Sequence, residues 1–430
     1  MGAPVVHGVH LVLWAIDRWL ASVEYPVRIT ALKAVFRKPV YLDREVALEL
    51  KHASHQAVEF AGRCSDVGVL ELAVRVDRGS RHADVDRGDW STPTSPDVVS
   101  REAAATACGE IPIAIDDARA RTLFPHLCER VGLAQLAELL ATTRLVGMHC
   151  PGLHSLFSGL SLEAHQATAG RSVRYEVADA KLKYSMIPVR VNGPSLRGTL
   201  DTFYRPPPTT SVMADVVRAV ARDSCVTQRA LVVGGSRGLG EAFAKAIAAG
   251  GGQVCLTYHR GAGDAERVIG EIRDAGLHAD AFALDVLSPS SLVTEWPLRK
   301  PPTHLYYCAT PTLHSARMGA TLDVGELDLL IRYFVVGLHA TTQAAIALGA
   351  NPIVVWTPST TLLEAPSGAA MYCTAKAAME EFCKHLPSLL PVTVLCPRIG
   401  RVDTDQSASL VQRQTASTLS VAIAQLSAMG

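Results

Sequence analysis

The sequence predicts two architectures in one chain: an α/β unit with a doubly wound parallel sheet in the C-terminal half, and an α+β unit in the N-terminal half, where a sheet wraps around a helix. Three observations predict this. From Ala230 to Gly240 the residues ALVVGGSRGLG run from an apolar stretch into spaced glycines and then into helical spacing, the order strand, turn, helix. Around this stretch, apolar runs at about 230–233, 253–258, 279–284, 303–308, 353–357 and 392–396 alternate with helical segments, the pattern of a parallel sheet with crossover helices. Upstream, a helix at about 8–20 that is apolar around most of its circumference precedes the period-two stretches ITALKAVF, VALELKHA, QAVEFAGR and GVLELAVRV, which read as an antiparallel meander around a buried helix.

Composition sets the limits. A chain of 430 residues, 48% apolar and 19% charged, holds about three units of ordinary size and is globular. Its 41 basic residues balance 41 acidic ones without a block of like charge, which argues against nucleic acid and anionic membrane surfaces as partners. Ten cysteines without a Cys-x-x-Cys pair predict free thiols in a reducing compartment and no zinc site. The opening MGAPVVHGVHLVLWAIDRWL has no basic leader and is too short and broken to span a bilayer, so it reads as a core helix of a cytoplasmic protein.

In chain order, residues 1–112 form a first helix-and-sheet unit ending in a polar linker from Asp77 to Pro112, and 113–207 form a second. Gly8-Val-His10 and Gly152-Leu-His154 each open an apolar segment read as a helix, an internal repeat that predicts two similar units packed together. Arg205-Pro-Pro-Pro-Thr-Thr-Ser marks a stiff boundary, 208–228 is a linker with the helix VMADVVRAVARD, and 229–430 is the α/β unit.

The glycine stretch has a chemical use. Gly234, Gly238 and Gly240 allow a backbone turn that a phosphate can approach closely, and the amides opening the following helix face the anion. Farther on, IVVWTPSTTLLEAPSGAAMYCTAK carries Ser359, then Tyr372, then Lys376 four residues later on one helix face. A free phenol titrates near ~10, so Tyr372 is an acid at neutral pH, suited to protonate a carbonyl oxygen that gains charge.

Together these motifs resemble the short-chain dehydrogenase/reductase family over about Gln228 to Asp405, which implies a Rossmann fold. The resemblance implies that Ser359 orients the carbonyl, Tyr372 transfers the proton, and Lys376 holds the nicotinamide ribose and lowers the tyrosine pKa. It implies a cofactor turn formed by Gly234, Ser236, Arg237, Gly238, Leu239 and Gly240, with Asp285 at the adenine. The second strand, QVCLTYHR, ends without an acidic residue, so Arg237 and Arg260 are expected to grip a 2'-phosphate and the cofactor to be NADPH. The sequence departs from the family at Val233, at Cys308-Ala-Thr-Pro, at Phe334, where the helix asparagine would stand, and at Arg398 after Pro397; the usual last strand is not expected in the 33 residues that remain after the sixth predicted strand and its Pro397.

PVVHGVHLVLW and VFRKPVYLDREVALEL resemble the hot-dog fold of MaoC-like dehydratases, without room for the opening strand of the first unit. That resemblance implies an acyl thioester held by helix-start amides near Gly8 and Gly152, with an Asp/His pair for acid-base work. The pair is not at its usual place. His126 has Arg121 five residues before it, Asp77 and His82 lie in the linker, and His10 and His154 read as packed core histidines. The combined expectation is an NADPH-dependent ketoreductase of 3-oxoacyl thioesters, carried by coenzyme A or an acyl carrier protein, in polyketide or fatty-acyl metabolism. The hot-dog region binds, or also dehydrates, the 3-hydroxyacyl thioester, and the protein is expected to be a homodimer. The alternatives are a thioester-binding scaffold with a non-turning-over reductase fold, and a reductase of a non-thioester carbonyl.

Overall fold

A computed structural model describes residues 5–42, 44–64, 67–79, 95–168, 170–205, 210–311, 324–365, 369–404 and 415–429. The chain divides into two compact units, one spanning Gly2–Pro207 and the other chiefly Pro208–Ala408 with Arg413–Gly430.

In the N-terminal unit α1 (Gly8–Leu20) buries Val9, Leu11, Val12, Leu13, Ala15, Ile16 and Leu20, as its nearly all-apolar sequence dictates. The strands are β1 (Val27–Phe36), β2 (Ala47–Ala53), β3 (Ala57–Cys64), β4 (Val67–Arg78) and β5 (Cys108–Pro112). After α2 (Leu133–Arg144) come β6 (Ser155–Ala164), β7 (Ser172–Val177), β8 (Val189–Asn192) and β9 (Leu196–Tyr204). They form one nine-stranded antiparallel sheet in the order β2-β3-β4-β1-β6-β9-β8-β7-β5. Period-two patterning sets the faces: in β4, Leu70, Leu72, Val74 and Val76 are buried while Glu71 and Arg75 are exposed. The two halves meet where β1 pairs with β6, Leu32 opposite Leu162 and Ala34 opposite Leu160. Residues of α1, α2 and this sheet share one apolar cluster.

Polar side chains inside this unit fasten its backbone. Asp17 of α1 accepts the Leu127 amide at 2.8 Å. Gln135 of α2 accepts from Ile29 N and donates to Ile29 O, each at 3.0 Å, where a bulge between Ile29 and Ala31 interrupts the ladder. Glu138, one turn on, accepts from Ser195 Oγ at 2.7 Å, Ser195 N at 3.2 Å and Leu196 N at 2.8 Å, and so holds the β8–β9 turn. A Cβ on Gly193 in that turn would lie 2.1 Å from Glu138 Oε1, so any larger residue there would push the carboxylate off the turn.

Three sequence expectations differ here. Gly152 does not open a helix: it takes φ +78° after Pro151 and leads into β6, while the helix of the second half, α2, lies upstream. A residue with positive φ, followed by the alternating SLFSGLSLEA, favours a turn and strand. Cys108–Pro112, placed in the linker by sequence, is the edge strand β5 and pairs with β7. His10 is exposed on α1, with its ring 5.2 Å from Phe124, while His154 is partly buried against Tyr204. His82 and Pro206–Pro208 lie outside the described residues.

The C-terminal unit alternates β10 (Arg229–Val233), α3 (Gly238–Ala249), β11 (Gln253–Tyr258), α4 (Ala262–Asp274), β12 (Ala279–Ala283), β13 (His304–Tyr307), α5 (Val324–Ile331), α6 (Leu338–Ala347), β14 (Ile353–Trp356), α7 (Ala370–Leu389) and β15 (Val392–Leu395), with α8 (Thr418–Met429) last. Its six strands are parallel in the order β12-β11-β10-β13-β14-β15. The order reverses between β10 and β13, the point at which doubly wound sheets hold ligands beyond their strand ends. Ser359–Thr360 and Arg398–Ile399 pair in parallel beyond β14 and β15.

Candidate active site

The glycine turn joins β10 to α3. Gly234 and Gly238 have φ of +75° and +58°, and a Cβ on Gly240 would stand 2.3 Å from the Gly234 carbonyl oxygen. The three glycines are therefore demanded by the turn itself. The Ala309 backbone, in the segment replacing the family's Asn-Asn-Ala-Gly, approaches a Cβ built on Gly234 to 3.1 Å, which explains why nothing larger stands there. Among the described residues no side chain caps α3, so its first amides and positive dipole end suit an anion. Ser236 is buried in the turn, and Leu239 packs on the core beneath α3.

The expected 2'-phosphate groups divide. Arg260 is exposed just past β11. Arg237 lies 3.4 Å from Asp264 at the start of α4, so its charge is already shared with a carboxylate. Asp285, after β12, accepts the Leu287 amide at 2.9 Å and remains accessible.

Tyr372 and Lys376 both lie on α7, one turn apart. Tyr372 is partly buried, its ring edge-on to Phe334 with centroids 5.8 Å apart, and among the described residues its hydroxyl has no hydrogen-bond partner. Burial pushes the phenol up to about 12. Lys376 is buried, with its ammonium 4.0 Å from the Phe334 ring centroid and donating to the Pro358 carbonyl at 2.7 Å. Burial pushes Lys376 down to about 8, against the pull of Cys396, Cys308, Cys383 and Glu380 nearby. The expectation that Lys376 lowers the Tyr372 pKa is thus corrected. The ammonium is turned under Phe334 toward Pro358, and desolvation of the phenol dominates.

Ser359 is buried, and its hydroxyl donates to Glu380, eight residues beyond Tyr372 on α7. Arg398 grips that carboxylate with both arms at 2.8 Å and, with Ser359, holds it below the usual carboxylate range. The serine proton is therefore directed at Glu380, which sequence reasoning did not single out. Its signal was a carboxylate one turn past Lys376 on the same helix face. Ser359, Lys376 and Glu380 meet through Pro358–Ser359 and α7, and Tyr372 joins them through Phe334.

In the N-terminal unit the acid-base candidates among the described residues are not buried together. Arg121 and Asp77 are exposed, and His126 is partly buried on the short helix Pro125–Arg130. A different pair is in contact: His149 Nδ1 lies 3.1 Å from Asp97 Oδ2, residues too far apart in sequence to be linked by a motif.

Comparison with known proteins bears on the C-terminal unit. A family model described as short chain dehydrogenase matches residues 228–415. The short-chain dehydrogenase/reductase FrzI of Cladobotryum sp is 30% identical over 194 residues, which is 42% of this chain and 73% of the relative. Similar solved structures include a short chain dehydrogenase from Burkholderia cenocepacia J2315 in complex with NADP, 24% identical, covering 47% of this chain and 90% of the other, with a TM-score of 0.41. Another is a 3-oxoacyl (acyl-carrier-protein) reductase from Agrobacterium tumefaciens C58 with NADP bound, 19% identical, covering 49% and 91%, with a TM-score of 0.42.

Proposed function

The chain belongs to the short-chain dehydrogenase/reductase family, and from that premise we propose that it is an NADPH-dependent reductase of 3-oxoacyl thioesters, carried by coenzyme A or an acyl carrier protein, whose N-terminal half is a pair of hot-dog units that bind the same thioester class. The observation that carries the reductase reading is Tyr372: a phenol kept protonated by burial, its hydroxyl unclaimed among the described residues, one helical turn from Lys376. An acid held ready in this way suits an oxygen that gains charge.

The residues fit the cofactor. The tight turn that Gly234, Gly238 and Gly240 allow, and the opening amides of α3, on which Arg237 places no side-chain cap, fit a pyrophosphate. Arg260 fits a 2'-phosphate, and Asp285 stands at the adenine position of the family. NADPH, when bound, supplies a hydride to the substrate carbon. Tyr372 donates its proton to the carbonyl oxygen. Lys376, whose ammonium donates to the Pro358 carbonyl and to Met379 Sδ, has one further donor with which to hold the ribose. Ser359 gives its proton to Glu380, so toward the cleft it offers lone pairs, and Tyr372 is the donor to the substrate oxygen.

The thioester assignment rests on the N-terminal strand order. The second half reads β5-β7-β8-β9-β6 with α2 inserted between β5 and β6, and the first reads β2-β3-β4-β1 after α1, the same order without its opening strand. A repeated helix-wrapping sheet of this order supports the hot-dog reading, and a 3-hydroxyacyl thioester made by a reductase is what a dehydratase of that fold consumes.

The test is to mix the protein with NADPH and 3-oxoacyl thioesters of graded length and weigh the products. Gain of two hydrogens supports the reductase, and a further loss of water shows that the N-terminal half is catalytic. No NADPH oxidation with any thioester overturns the proposal. A second reading, a thioester-binding subunit that holds NADPH without turnover, is favoured by the Phe334 ring over Lys376 and by the Ser359–Glu380 bond. Tight NADPH binding without oxidation would select it.

A further inference from the structure

A serine hydroxyl has one proton to give. In Ser359 it goes to Glu380 Oε1, on a carboxylate that Arg398 grips with Nε and Nη2 at 2.8 Å each. The backbone around the serine is fixed as well: its amide donates to the Pro397 carbonyl at 2.8 Å, and Ser359–Thr360 pairs with Arg398–Ile399. Ser359 is only 2% exposed, so bulk water does not compete for that proton. Arg398 stands after Pro397, where the family has glycine, and Glu380 lies one turn past Lys376 on α7. Neither belongs to the phenol and ammonium pair or to the glycine turn.

We propose that Glu380 is a positioning residue of the reductase: clamped by Arg398, it turns the Ser359 hydroxyl out of the reaction and leaves donation to the substrate oxygen to Tyr372. The role rests on the reductase reading given above. Arg398, and after it Ser359, hold the Glu380 carboxyl below the usual carboxylate range, so it is ionised at neutral pH. A hydrogen bond to such a carboxylate is about twice as strong as a neutral one, and a ground-state carbonyl is too weak an acceptor to draw the serine proton away from it.

The consequence for rate follows from charge. As hydride reaches carbon the carbonyl oxygen becomes negative, and each donor aimed at it is worth about 10² to 10³ in kcat. With its proton on Glu380, Ser359 adds no donor, and the reaction runs below the rate these side chains can support. Removing the carboxylate frees the hydroxyl hydrogen to rotate about the Cβ–Oγ bond toward an oxygen in the cleft, with no movement of the backbone. Arg398 is the outer half of the clamp, its side chain 43% exposed against 17% for Glu380. Truncating the arginine therefore loosens the carboxylate without removing it.

The experiment is a double-mutant cycle on the full chain, read as NADPH oxidation with acetoacetyl-coenzyme A, with NADPH affinity measured by calorimetry for each variant. Glu380→Ala is expected to raise kcat by about 10²-fold with NADPH affinity unchanged, and Arg398→Ala to raise it by less. Ser359→Ala is expected to cost about 10²-fold more in the Glu380→Ala background than in the wild type, because only there does the hydroxyl reach the substrate oxygen. A purely structural role for Glu380 would lower kcat together with stability and give no such coupling. Glu380→Gln, which keeps the shape of the side chain, is expected to show the gain and the coupling in smaller degree should alanine unfold the chain. A silent wild type beside an active Glu380→Ala supports the proposal. An active wild type with no gain in Glu380→Ala and Glu380→Gln, or with Ser359→Ala costing the same in both backgrounds, overturns the positioning role and leaves the reductase reading standing. No oxidation by any variant overturns both.

Discussion

The two units treat polar groups in their interiors in opposite ways. In the N-terminal unit Asp17, Gln135 and Glu138 project from helices into the interior, and each is taken up by a nearby backbone: an amide at 2.8 Å, both groups of Ile29, and the β8–β9 turn. In the C-terminal unit Tyr372 is partly buried with its hydroxyl unclaimed among the described residues, and Arg237 at the start of α3 places no capping side chain on its opening amides. A buried polar group whose valences are filled fastens a fold, whereas one left open at a cleft is available for chemistry. Asp17 and Glu138 are thus staples, and Asp97 and His149 meet in a more exposed contact.

That contrast can be broken most forcefully at Tyr372. Tyr372→Phe is expected to lower the reductase rate by about 10²- to 10⁴-fold with NADPH affinity unchanged, read by NADPH absorbance and by calorimetry. An undiminished rate would remove the phenol from the reaction. At Glu138 the effect should fall on folding alone. Glu138→Ala strands the Ser195 and Leu196 donors in the interior and should lower the unfolding free energy by about 3 kcal/mol, measured in urea, with Glu138→Gln recovering part of the loss and NADPH binding intact.

The pH dependence sharpens the contrast further. Lys376 is pushed down from 10.5 to about 8 in the folded chain. Below about 8 it is charged in both states at a desolvation cost. As pH rises from about 8 to 10.5 the folded chain releases the proton first, so the stability of wild type relative to Lys376→Met should rise by up to about 3 kcal/mol. The reduction rate should fall over the same rise above pH about 8, because the ammonium is lost while Tyr372, pushed up to about 12, remains an acid. The smallest effect is at the cofactor's far end. Arg260→Ala should reduce the preference for NADPH over NADH on the order of tenfold, and Arg237→Ala by less, since Asp264 already holds that guanidinium.

Much of this was legible in the chain. The six parallel strands were set by apolar runs separated by helical spacing, and the glycine turn by residues that only a positive φ or a close backbone approach requires. The first helix was readable because nearly all of its circumference is apolar. What escaped depends on contacts between distant residues. The Ser359–Glu380–Arg398 lock joins a strand end, the middle of α7 and the segment after β15, and no local pattern announces it. Phe334 was visible as a substitution, but its place over Lys376 was not. The Gly-x-His repeat did not mark two helix starts. Gly-x-His occurs twice, yet at Gly152 it follows Pro151 and precedes a strand, while the helix equivalent to α1 is the more polar LAQLAELLATTR.

The most direct test of the contrast is a calorimetric titration of NADPH into the wild-type chain. The account predicts one NADPH site per chain, lost when Gly240→Val fills the turn and unaffected by Glu138→Gln. Absence of binding to the wild type, or binding that survives Gly240→Val, would contradict it.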